Sequence, residues 1–258
     1  MNFFTGIKVY GDAVEILFSK KFWWFLIFPV FVLLLLLIGG NILTSYAGDS
    51  LYHLIQGKLE SWVSGISWLQ WVTVTTNVLI RIVLKILYFF FFVAFGGYII
   101  LILMSPVYSW LSERTEAHLT GKEYPFSFRQ FCWEIFRGIM IAFRNMFFQL
   151  LVSLILFLFS FIPVIGFLSP VAIFFSSAYF YGFAFMDYAI ERKRFNVKQS
   201  VRYINKNMGL VTGVGTVFAF CLMIPWFSLI ACSFVSLLSV IAGTLAVNRV
   251  ELQRGKRM

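Results

Sequence analysis

The side chains that could do chemistry are few in this chain, and most are cations. Only two histidines occur, His53 and His118, and neither belongs to an H-E-x-x-H pair; no G-x-S-x-G elbow or Gly-rich nucleotide loop is present. Glu113, Glu116 and His118 lie close in sequence, but their spacing defines no coordination geometry, and the "HLTG" that follows reads as a solvated helix end. No catalytic group, cofactor or metal is therefore expected. Cys132, Cys221 and Cys232 form no C-x-x-C pair and read as small buried hydrophobes. What remains suits an anion. Lys20 and Lys21 precede the first apolar run, Arg81 and Lys85 stand one turn apart before the second, and Arg137 and Arg144 lead into the third. Asp187 closes the third run and is read as a terminal residue reaching the headgroups beside Arg192.

Within the apolar runs the polar complement is neutral. Asn145 to Met186 and Asn207 to Asn248 contain no Asp, Glu, Lys or Arg, but they do carry Ser153, Ser160, Ser169, Ser176, Ser177, Thr212, Thr216, Ser228 and Ser233. A cation path usually presents carboxylates, whereas hydroxyls and helix N-terminal amides can hold an anion without a countercharge. Each serine taken alone also fits a packing or carbonyl-bonding role.

The elements that must position these groups follow from composition. The 258 residues are 60% hydrophobic and 20% aromatic, with only 12% charged and a mean hydropathy of +0.87, which excludes an ordinary soluble domain. The net charge of +10 has a topological origin rather than a nucleic-acid partner, since no basic residues interleave with aromatics on a soluble segment. Asp12 and Glu15 precede the first run, so that run reads as a retained anchor and not a signal peptide.

Chain order then predicts an interfacial helix over 1–21, a transmembrane helix over 22–46, an extracytoplasmic segment over 47–80 and a second transmembrane helix over 81–108. A cytoplasmic or interfacial segment follows at 109–144, a hairpin at 145–187, a second interfacial segment at 188–206, a second hairpin at 207–248 and a basic tail at 249–258. The hairpins look like copies of one plan. Placing Arg144-Asn145-Met146 on Lys206-Asn207-Met208 also brings Ile162-Pro163 onto Ile224-Pro225 and Asp187 onto Arg249. Pro163, Gly166 and Pro170 are read as one turn, and each arm before the proline would be roughly 25 Å of helix, short of a ~30 Å hydrocarbon core. All Lys and Arg residues except Lys58, Arg81 and Lys85 then fall on one side, which places both termini in the cytoplasm.

Three flanking segments are amphipathic. Phe3, Ile7, Tyr10, Val14 and Leu17 share one predicted helix face, Phe128, Cys132, Ile135, Ile139 and Phe143 a second, and Val197, Val201 and Ile204 a third that follows Asn196 as N-cap. They are expected to lie along the interface, basic heads toward anionic lipid.

The succession "FFTGIKVYGDAVEILFSK", "FWWFLIFPVFV", "ILMSPVYSWLSERTEAHLTG", "FRGIMIAFRNM", "FIPVIGFLSP", "AYFYGFAFMDYAIERKRFNVKQSVRYINKNM" and "MIPWFSL" resembles the CysZ family of bacterial sulfate permeases, whose domain is shared with the eukaryotic etoposide-induced membrane proteins. The resemblance implies an all-α integral membrane protein with two long transmembrane helices plus two membrane-inserted helical hairpins. It also implies a homo-oligomer in the bacterial inner membrane that passes sulfate for cysteine synthesis. In that family a Gly-hydrophobic-Arg motif before the first long helix helps bind sulfate; here the matching position reads Lys21-Phe22-Trp23-Trp24, with neither glycine nor arginine. The expected substrate contacts are therefore Lys20, Lys21, Arg137 and Arg144. The competing expectation is a non-transporting scaffold that organises partners or lipid.

Overall fold

The computed structural model describes residues 2–19, 22–63, 70–121, 128–162, 165–193, 195–224 and 228–255. Among these the chain is helical, without a strand. Helix α1 (Phe3–Leu17) leads to a 3-10 turn at Trp23–Leu26 and α2 (Ile27–Val63). Then come α3 (Gln70–Leu103), α4 (Ser105–Thr120), α5 (Phe128–Phe159), α6 (Ile165–Glu191), α7 (Val197–Lys206), α8 (Met208–Leu222) and α9 (Ser228–Gly255). Among the described residues, four stretches are long and apolar enough to cross a membrane: Trp23–Leu54, Phe128–Phe159, Gly166–Glu191 and Ser233–Gln253. Helix α8 is apolar but shorter.

Local chemistry explains the breaks. Helix α3 stops at Met104 because Pro106, in the first turn of α4, has no amide to continue the ladder. Gly121 ends α4 at φ 68°, a left-handed conformation that glycine adopts without strain, and its amide caps the Ala117 carbonyl. The turn before α6 is tighter than the sequence suggested. It occupies the residues just after Phe159, and Pro170 lies inside α6 instead of in the turn. Gly166 sits in the first turn of α6, pressed so closely on the Ser160 carbonyl that a Cβ would collide with it. Pro163 falls outside the described residues.

The chain forms two compact units, Phe31–Gly96 and a larger one of Met1–Val30 with Gly97–Met258. In the smaller unit, α2 and α3 run antiparallel. The Tyr88 ring packs over Gly40 and its hydroxyl donates to the Leu36 carbonyl at 3.1 Å, while farther along Arg81 pairs with Asp49. Helix α2 has 37 residues and α3 has 34, about 55 and 51 Å at ~1.5 Å per residue, each longer than a ~30 Å hydrocarbon core. The segment expected to be extracytoplasmic, 47–80, is thus a continuation of both helices over 47–63 and 70–80.

The larger unit is built around α6 and α8. Gly182 of α6 and Gly215 of α8 meet so closely that a Cβ on either would overlap a backbone carbonyl, Val211 or Ala178. Gly213, two residues before Gly215, points to the other side of the helix, because two residues turn ~200°. There it meets Phe3 and Gly6 of α1 in the same way. Small residues let helix backbones approach without side chains between them, the usual packing of membrane bundles. Helix α9 closes the core with Leu237, Val240, Ile241 and Ala242, all buried. Tyr10 ties three helices together: its hydroxyl donates to the Val214 carbonyl at 2.6 Å and also lies 2.8 Å from Ser239 Oγ, and burial pushes its phenol pKa up. Helix α5 packs on α6.

Two of the amphipathic helices also pack against the bundle of the larger unit. In α1 the buried line is Gly6, Val9, Tyr10, Ala13 and Leu17, with Val14 exposed, because close approach to α8 at Gly6 sets the rotation. In α5 the apolar face stays outside the bundle. Phe128, Cys132 and Phe143 are exposed, and the protein interior receives Arg137, Ile141, Ala142 and Asn145. Helix α7 starts where predicted, with a reciprocal cap: the Gln199 amide donates to Asn196 Oδ1 at 2.8 Å and the Asn196 amide to Gln199 Oε1 at 2.9 Å.

Candidate anion-binding site

Two of the four expected substrate contacts are among the described residues. Lys20 and Lys21 lie outside the described residues. Arg137 and Arg144, two turns apart on α5, occupy different surroundings.

Arg137 is 7% exposed and closely engaged. Its Nε and Nη2 donate to the two carboxylate oxygens of Asp187 at 3.3 and 3.2 Å, Nη2 also donates to Ser200 Oγ at 2.8 Å, and Nη1 donates to the Phe195 carbonyl at 2.5 Å. Glu191 Oε1 stands 3.9 Å from Nε. Helix α6 supplies both acids one turn apart, and α7 supplies the hydroxyl through its capped first turn. Asp187 is 3% exposed, so it is an interior partner of Arg137 and not the headgroup-facing residue beside Arg192 that sequence suggested. A buried carboxylate needs such pairing, because an isolated charge would lose its hydration uncompensated.

The same end of the bundle holds further pairs. Arg192 Nε donates to Glu116 at 2.5 Å, and Nη2 donates to Ser112 Oγ at 2.8 Å. Ser112 in turn lies 2.7 Å from Thr244 Oγ1, joining α4 to α9. Lys193 pairs with Glu251, and Arg249 with Asp12. Glu116, weighed earlier as a metal ligand, is therefore committed to Arg192; His118 instead meets the edge of Phe22, ring centroids 5.9 Å apart.

Arg144 differs. Its guanidinium lies over the rings of Phe148 and Phe183, 5.2 and 5.3 Å from their centroids, and donates to Asn145 Oδ1 at 3.2 Å. It makes no ion pair among the described residues. Asn145 is fixed by donating to the Phe180 carbonyl at 3.3 Å, and Tyr179 donates to Asn205 at 2.6 Å. A half-buried guanidinium braced on aromatic faces keeps its planar donors available to a carboxylate, phosphate or sulfate geometry.

The hydroxyls singled out in the sequence mostly bond locally. Thr216 donates to the Thr212 carbonyl at 2.7 Å and Ser160 to the Phe157 carbonyl at 2.5 Å, while Ser177 accepts from Gln149 at 2.9 Å. Sequence reasoning overlooked Glu191, Ser200 and the Ser112–Thr244 contact, which join residues too distant along the chain for spacing to reveal; Asn196 as a helix cap and the Val197, Val201 and Ile204 face after it pointed only to α7 itself.

No curated protein matches the chain. A family described as "Sulfate transporter CysZ/Etoposide-induced protein 2.4" matches residues 10–232 of the 258. The chain, an all-helical protein of membrane character, therefore belongs to the sulfate transporter CysZ/etoposide-induced protein 2.4 family.

Proposed function

We propose that the protein is a permease or channel for sulfate or a similar small oxyanion in a bacterial inner membrane, serving sulfur assimilation and cysteine synthesis. Arg144 carries the proposal: a half-buried cation without an ion pair among the described residues, in a chain of a sulfate transporter family. Lys20 and Lys21 capture the anion near the cytoplasmic side, Arg144 holds it through its guanidinium fork, and Arg137 offsets the carboxylates of Asp187 and Glu191 along the wall. Those two acids keep a dianion from binding too firmly, and weak binding is what conduction requires. The gathering of cations at the α6 C-terminal end supports cytoplasmic termini, and the interior surface of a homo-oligomer would complete the path.

Uptake of labelled sulfate into proteoliposomes tests this. Wild-type protein gives saturable uptake, Arg144→Gln loses roughly 10–100-fold in efficiency, as expected for a charge-assisted contact of about 1.5–3 kcal/mol, and Arg144→Lys recovers part. Lys20→Ala/Lys21→Ala raises the half-saturating concentration. Wild-type uptake no faster than in empty liposomes, with insertion verified, would sink the proposal in favour of the scaffold reading.

A further inference from the structure

Helix α7 stands between two apolar helices. Helix α6 ends at Glu191, α7 covers Val197–Lys206, and α8 starts at Met208, with Asn207 alone between them. If α6 and α8 sit in a membrane, α7 has no length of chain with which to leave its surface. Its inner face is fixed: Ser200, Tyr203 and Ile204 are buried, and Ser200 and the Phe195 carbonyl both accept from Arg137. The opposite side carries Lys198, Arg202 and Lys206, spaced four residues apart so that they line one face, and all three are exposed. Helix α7 contains no acid, and none of the three makes an ion pair among the described residues. The nearby cations differ on this point. Arg192 is paired with Glu116 and Lys193 with Glu251, so these two charges are neutralised within the fold and, among the described residues, those of the α7 stripe are not.

We infer that the Lys198–Arg202–Lys206 face binds the headgroups of anionic phospholipids. Three unneutralised cations held at headgroup level complement a surface of phosphates, each contributing electrostatically over about a Debye length. The inference rests on the membrane reading but not on sulfate passage.

The test uses full-length protein in bilayers containing trace spin-labelled phosphatidylglycerol or phosphatidylcholine. The wild type should associate with phosphatidylglycerol in preference to phosphatidylcholine by about fivefold or more, decreasing as salt rises, and Lys198→Gln/Arg202→Gln/Lys206→Gln should bring the ratio close to one. An Arg114→Gln/Arg129→Gln variant, which removes exposed cations elsewhere, should keep the preference. An unchanged ratio in the α7 variant, or an equal loss in the control variant, would overturn the assignment. So would displacement of the lipid preference by millimolar inorganic sulfate with sodium chloride held constant, which would assign the stripe to free anions instead. None of these readouts requires transport, so a failure here is distinct from a failure of the sulfate proposal.

Discussion

Replacing Arg137 by glutamine would remove the charge that faces Asp187 and Glu191 in the interior. The two side chains of the closest pair are 8% and 4% exposed, so water screens little of the interaction. Removing one partner of a buried pair costs about 3–5 kcal/mol, because the remaining charge stays desolvated. For a chain of this size each kcal/mol shifts the midpoint by about 2–4 °C, giving a loss of about 6–20 °C. Asp187→Asn should cost less, since Glu191 at 3.9 Å still faces the guanidinium. The double variant should recover part of the Arg137→Gln loss, because only Glu191 is then left uncompensated. Thermal melting in detergent, followed through the intrinsic fluorescence of the eight tryptophans, measures all three. Single variants within about 2 °C of wild type, or losses that simply add in the double variant, would refute the account of this pair as an interior, mutually dependent contact.

At the α6–α8 crossing, Gly182→Ala and Gly215→Ala should each lower stability by about 1–3 kcal/mol or more through overpacking, whereas Gly11→Ala, with open space around it, should be neutral or stabilising by up to about 1 kcal/mol; melting midpoints give the comparison. The Arg81–Asp49 pair is 41% and 53% exposed, so Asp49→Asn should cost under about 1 kcal/mol, and the small difference should vanish in high salt.

The helical class and the main breaks were legible because they depend on local chemistry. Runs of apolar residues and Asn196 ahead of Gln199 act within a few residues of their cause. In α5 the apolar face of Phe128, Cys132 and Phe143 was legible as interfacial, whereas the inward turn of Arg137 on the same helix was not. In a membrane protein the lipid accepts those side chains, and the interior is where Arg137 finds its partners. The partners themselves, Asp187 and Ser200, come from elements far along the chain, so no spacing in the sequence announces them. Pro170 misled for a related reason: an exposed proline past the first turn of a long helix removes one hydrogen bond without ending the helix.

Helix α8 meets α1 through Gly213 and α6 through Gly215, with main chain against main chain on opposite sides. Flexible side chains would let neighbouring helices slip past each other, but at these crossings there are none to bend. Sliding α8 by one turn would bring Val211 or Ala219 to the place of Gly215, and their side chains would strike the carbonyl that glycine admits. The crossing thus acts as a detent, a notch that locks the axial register of the three helices.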